Sequence, residues 1–308
     1  MKRATRESYG AALVEIGKEN EDIIVLEADL SKATKSEVFA KAFPERFINV
    51  GIAEQNMIGM AAGLSTTGKI PFATTFAVFV AGRAFEVIRN SVCYPKANVK
   101  IAATHAGITV GPDGGSHQAI EDIALMSSLP NMVVLSPADD IEACKCIKAA
   151  SEINSPVYIR LGRIPLDDIY TNDYEFKIGK GSELVSGNDV AIISTGIMTH
   201  KALEAAKLLK AEGIAVRVIN ICTIKPIDEE LIIKAAKETK GIVTVEEHSI
   251  IGGLGDRVAS VVCDNVPTIV KKIGVMDTFG ESGDPDALLE KHGLTISNIV
   301  STVKHIMK

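Results

Sequence analysis

The chain has 308 residues, of which 46% are apolar and 23% charged, and a formal net charge of −6. That is ordinary globular composition with length enough for two α/β domains, and the acidic balance offers no basic stripe to a phosphate backbone, which excludes nucleic acid as an expected partner. The five cysteines, Cys93, Cys144, Cys146, Cys222 and Cys263, are odd in number and scattered, so a reduced, cytoplasmic setting is expected rather than a disulfide framework.

Residues 1–17 already carry an amphipathic helical pattern with acidic residues, unlike the apolar core and cleavage site of a signal peptide. No apolar run reaches membrane-spanning length, so no membrane partner is expected. The chain then alternates short β-branched runs with longer segments of helical period, which is how parallel strands joined by crossover helices read. Strands are expected at 23–26, 71–75, 99–104, 132–135 and 157–159, and helices at 54–64, 81–92, 118–127 and 139–150. Cys144 and Cys146 fall within the last of these and are read as helix residues, since one C-x-C without a second pair is a weak metal signal. From 166 to 187 the text turns polar and irregular, as in a linker. The rhythm restarts with strands at 190–194, 216–221, 242–245 and 268–273 and a helix at 200–211. The expected fold class is therefore α/β with two doubly wound domains, residues 1–165 and 188–308. Neither G-x-x-x-x-G-K-[ST] nor G-x-G-x-x-G is present, which disfavours ATP and NAD.

Three constellations could carry chemistry. In Asn49-Val50-Gly51-Ile52-Ala53-Glu54-Gln55-Asn56 a strand passes through glycine into an apolar helix. An acid in a first helical turn is explained by the helix dipole alone, yet the apolar run after Glu54 implies burial, and desolvation favours a protonated carboxyl near neutral pH. In the segment 71–79, Phe76 and Phe79 are spaced to share one side of a helix start, suited either to core packing or to gripping a flat heterocycle. In the segment 104–118, His105 and His117 flank a glycine-rich loop containing Asp113, between a strand and a helix, where α/β sheets place ligands. The glycines of 252–255, after Val243-Thr244-Val245-Glu246-Glu247-His248, fit a strand-turn-helix without a ligand.

With these motifs the chain resembles, over essentially its full length, the C-terminal half of transketolase: its thiamine-diphosphate pyrimidine-binding domain followed by its C-terminal domain. The resemblance implies that Glu54, in Gly51-Ile52-Ala53-Glu54-Gln55, bonds the aminopyrimidine ring nitrogen, that Phe76 and Phe79 clamp that ring, and that Asp29, in Ala28-Asp29-Leu30, lies near the cofactor at a dimer interface. It further implies that His105, Asp113 and His117 contact the sugar, with both imidazoles handling protons near neutral pH, and that Arg6 and Arg160 bind substrate phosphate. The implied reaction moves a two-carbon ketol unit from a ketose phosphate to an aldose phosphate.

The sequence departs from that pattern in three places. Gly82 stands near where the family has a further aromatic clamp residue. The segment after Asp29 is short, which bears on whether Ser31 or Lys32 meets phosphate. The G-D-G and distant asparagine that hold Mg2+ and diphosphate are absent. A separate N-terminal subunit carrying that site is therefore the expected partner, in a dimer or heterotetramer. The alternatives are the β subunit of a 2-oxoacid dehydrogenase, a deoxyxylulose-phosphate synthase relative, and a non-catalytic assembly subunit.

Overall fold

The computed structural model describes residues 2–308. The first block contributes β1 (Arg3–Ala4), β2 (Ile23–Glu27), β3 (Phe47–Asn49), β4 (Ile70–Phe76), β5 (Lys100–Thr104), β6 (Val133–Leu135), β7 (Val157–Arg160) and β8 (Pro165–Leu166). The second contributes β9 (Ser182–Val185), β10 (Ala191–Ser194), β11 (Arg217–Asn220), β12 (Thr223–Lys225), β13 (Ile242–Ser249) and β14 (Val270–Val275). Strands β1 and β8 make only a short antiparallel pair. The others form a seven-stranded sheet ordered β12-β6-β7-β5-β4-β2-β3 and a five-stranded sheet ordered β14-β13-β10-β11-β9.

Six strands of the first sheet are parallel, and every residue of β5 and β7 is buried. Helices cover both faces, so these strands read as continuous apolar runs rather than alternating ones. From β2 the chain leaves toward β3, and from β4 it leaves the opposite way toward β5. The carboxyl ends of β2 and β4 thus flank a topological switch point, where such sheets open a crevice. The second sheet is likewise parallel except for β9, and both sheets agree with the α/β fold class expected from sequence.

The blocks are not independent. Strand β12 belongs to the second stretch of chain yet pairs antiparallel with β6, with Thr223 opposite Leu135. One apolar cluster runs from Ala73 and Ile101 through Ala191, Ile193 and Leu254. Across this junction the free, buried thiols of Cys146 and Cys222 lie 3.1 Å apart.

Several local expectations change. The segment 166–187 is not wholly irregular, since Ser182–Val185 adds an edge strand to the second sheet. The short strand β3, which carries no periodic signal, is the strand end read before Gly51 and closes at Asn49. The helix expected at 81–92 is divided into Ala77–Arg83, Phe85–Val87 and a wider π turn at Ile88–Cys93. The helix expected at 118–127 begins only at Asp122. Gly107, Gly111 and Gly114, with φ of +83°, +78° and +81°, hold the preceding residues in a loop that L side chains rarely follow.

Candidate functional site

Loops at the carboxyl ends of the parallel strands bring most of the sequence-selected residues into two adjoining groups. The first surrounds Glu54. Gly51, with φ +76°, turns the chain after β3, and Glu54 begins the helix Glu54–Ser65. The helix buries Met57, Ile58, Ala61 and Ala62 against the sheet; its opposite face, including Gln55, Asn56 and Gly59, is exposed rather than buried all round. Glu54 itself is only 4% exposed and accepts from Arg83 Nη1 at 3.1 Å. The Arg83 guanidinium lies 4.4 Å from the Phe79 ring centre, a cation–π separation, while the Arg83 carbonyl accepts from Gln55 Nε2 at 2.8 Å. An open cavity of about 510 Å³ is lined by Ile52, Ala53, Glu54, Gln55, Asn56 and Arg83.

The second group is a stack of rings. Phe76 ends β4 and Phe79 lies one turn on, with ring centres 5.7 Å apart and planes within 13°. His105, just past β5, stacks on Phe76 at 3.9 Å. His117, from the far end of the glycine-rich loop, meets Phe79 edge-on at 5.3 Å. The two phenylalanines and the two histidines therefore form one surface, and Arg83 joins it to Glu54.

His105 occupies left-handed backbone at φ +56° and is 2% exposed. Its Nε2 faces Arg6 Nη1 at 3.1 Å, and arginine can only donate. The ring is therefore neutral, with Nδ1–H donating to Thr104 Oγ1 at 2.9 Å. Burial, joined by the charges of Arg6 and Arg163 and by His117, pushes its pKa down to about 3. This corrects the expectation of an imidazole titrating near neutral pH: the neutral His105 ring keeps its one proton at Nδ1, and its Nε2 accepts from a guanidinium instead of taking up a second proton. Arg6 also donates to the Ala33 carbonyl at 2.9 Å, while its buried Nε has no partner. Asp113 pairs with Arg163 at 3.5 Å, and Arg163 donates to the Val110 carbonyl.

Two selected residues stand apart. Asp29, at φ +61°, exchanges hydrogen bonds with Asn49, each 3.2 Å long, and is exposed. Arg160 does not offer a fork to phosphate. It is 7% exposed; its Nε donates to Asp122 at 2.9 and 3.2 Å, and its Nη2 to the carbonyls of Ala119 and Glu247. The phosphate-binding reading of Arg160 is thereby replaced by that of a buried tie between loop and sheet.

Sequence reasoning passed over Arg83, Arg163 and Glu27. Glu27 closes the apolar run of β2, is fully buried, and has its pKa pushed up to about 7 by burial against bonds from the Leu30 amide and Thr34 hydroxyl. A lone acid at the end of a buried parallel strand was the available signal. Ser31 and Lys32 sit in the short helix Ser31–Thr34 beside it. Among the described residues no three His, Cys, Asp or Glu side chains are grouped to hold a metal ion, and no helix is long and apolar enough to cross a membrane.

Residues 1–167 match the transketolase pyrimidine-binding domain and residues 179–299 the transketolase C-terminal domain. The chain is 52% identical over 309 residues to a putative transketolase C-terminal section from Methanocaldococcus jannaschii, covering 99% of this chain and 97% of that one. It is 40% identical over 301 residues to a 6-deoxy-6-sulfo-D-fructose transketolase subunit from Clostridium sp. strain MSTE9, covering 98% and 94%. It also superimposes, with a TM-score of 0.93, 60% identity and coverage of 99% and 98%, on a solved split-gene transketolase described as an inactive beta4 tetramer.

Proposed function

This chain belongs to the transketolase family, and on that premise we propose that it supplies the pyrimidine side of a thiamine-diphosphate site whose diphosphate and Mg2+ are held by a separate N-terminal subunit. The pair would move a two-carbon ketol unit between sugar phosphates. The observation that carries this reading is the junction of a buried acid, Glu54, with an aromatic face, Phe76 and Phe79, beyond the carboxyl ends of β3 and β4, the two strands that flank β2. A ring nitrogen needs an acid beside it, and a flat heterocycle needs a flat apolar wall. The residues present therefore fit the aminopyrimidine.

Thiamine diphosphate, when bound, would supply the carbon nucleophile that two-carbon transfer between sugars requires. Glu54 presents its carboxyl group toward the ring nitrogen in a water-poor setting, where a hydrogen bond to a charge-bearing group is strongest. Arg83, half exposed, offers Glu54 a counter-charge and gives Phe79 a second stacking partner where the further aromatic is missing at Gly82. Arg6 polarises the Nε2 edge of neutral His105 and faces the sugar. Asp113 and His117 bear on the same loop for hydroxyl groups. Arg6 and Arg163 supply positive charge for an anionic sugar, the task first given to Arg160.

The test is reconstitution: this chain, a partner carrying G-D-G, thiamine diphosphate, Mg2+, xylulose 5-phosphate and ribose 5-phosphate. Transfer products are expected only when both chains are present; their absence with a verified partner would overturn the proposal for these sugars, and a screen of other ketoses would then define the donor. Glu54→Gln keeps the volume but not the acid. It should fold as the wild type while losing roughly 10²-fold or more in turnover, the usual contribution of a positioned acid.

A further inference from the structure

The second domain grips the ring-bearing loop of the first at two places. From β13, Glu247 reaches across to the first domain and is 3% exposed. Its Oε1 accepts from the Thr109 amide at 2.6 Å. A Cβ built on Gly107 would overlap the same carboxylate, so glycine is required there by φ and by space together. The Glu247 carbonyl accepts from Arg160 Nη2 at 2.9 Å, and that nitrogen also holds the Ala119 carbonyl at the loop's other end. On the opposite side, Gln118 Nε2 donates to the Ile108 carbonyl at 3.0 Å within the loop and to the Glu281 carbonyl at 2.9 Å in the second domain.

A buried carboxylate that accepts a backbone amide fixes that amide in both distance and direction, because leaving either group unpaired in a water-poor interior is costly. Here the amide lies four residues past His105, and the loop it anchors ends at His117. We infer that the second domain positions the loop of His105 and His117 through Glu247, a positioning residue whose carboxylate locks Gly107–Thr109 and so holds both imidazoles against Phe76 and Phe79. The inference rests on the proposed role of this loop toward the sugar. It gives the second domain a task in the reaction beyond assembly.

Glu247→Met fills the same space without an acceptor, whereas Glu247→Gln keeps one; Glu247→Ala serves if the methionine variant does not fold. Amide hydrogen exchange over residues 105–118 is read in the chain alone and with its partner, beside kcat and KM for both sugar phosphates. For Glu247→Met the expectation is at least tenfold faster exchange at 107–111, unchanged exchange across the second sheet, and about a tenfold loss of kcat/KM expressed mainly in KM. Glu247→Gln should recover most of each change. Wild-type exchange in the loop, a uniform rise over the whole second sheet, or failure of glutamine to restore the loop would overturn the inference. If the wild-type pair transfers no two-carbon unit, the proposed function falls by itself, and the exchange measurement still decides whether Glu247 positions the loop.

Discussion

Arg160 shows how far a single side chain can be read from its neighbours in sequence. A strand ending in arginine at the mouth of an α/β sheet invites an anion, but its partner Asp122, 38 residues away, is fully buried with it. Removing one member of a buried pair leaves the other uncompensated. Arg160→Ala should therefore cost about 3–5 kcal/mol of stability, seen in urea denaturation, instead of selectively weakening phosphorylated substrates. His105 gives a second residue-scale expectation, on pH. Its folded pKa, about 3, lies below the ordinary 6.5, so the unfolded chain binds a proton that the folded chain refuses. The stability contributed by neutral His105 is complete above pH 6.5 and is lost as pH falls toward 3. Between pH 6.5 and 4 the wild type should lose up to about 1.4 kcal/mol per pH unit more than His105→Asn does; parallel denaturation curves for the two would contradict this. Glu54, Phe76, Phe79, His105 and His117 were legible because short motifs carry them. Arg83 and Arg163 were not, because what selects them is a ring and a carboxylate brought near only by folding.

Among the elements, the loop between β5 and the helix Asp122–Ser128 carries the largest share of the site, and it was the element least well anticipated. Helical period in 118–127 pointed to a helix from its first residue, whereas tertiary bonds from Arg160 to the Ala119 carbonyl and from Gln118 to three backbone carbonyls keep 118–121 out of it. The central strands were legible because buried parallel strands are uniformly apolar; β3 and β9, short and only half-buried, lacked that signal. Two glycine substitutions separate the roles of the glycines. At Gly107 an alanine meets both a positive φ and the Glu247 carboxylate, and Gly107→Ala should lose about 1–3 kcal/mol. Gly82 is helical with open space about it, so Gly82→Ala should gain about 0.5–1 kcal/mol in the chain without its partner. Thermal denaturation of both variants tests the pair, and a destabilised Gly82→Ala would show that the site's departure at that position is itself a packing requirement.

For the whole molecule, two α/β blocks were legible from the twice-repeated strand and helix rhythm, but their joining was not. Nothing in Thr223-Ile224-Lys225 says that it leaves the second sheet for the first, because strand pairing is a property of what lies nearby after folding. With β12 pairing β6 and a shared apolar cluster beneath, residues 1–178 expressed alone should be less soluble than the full chain, since an unpaired sheet edge invites pairing with other chains. The full chain should melt in one transition by calorimetry and circular dichroism alike; two resolved transitions would show that the blocks unfold separately.

The position of β12 also has a meaning in time. During synthesis at about 5–20 residues per second, the strands of the first sheet through β7 leave the ribosome several seconds before Thr223–Lys225 follow. For that interval the growing chain carries a nearly finished sheet with one bare flank. A nascent protein in this state is exposed to premature pairing with its neighbours on the same messenger, and it is then that a chaperone would matter most.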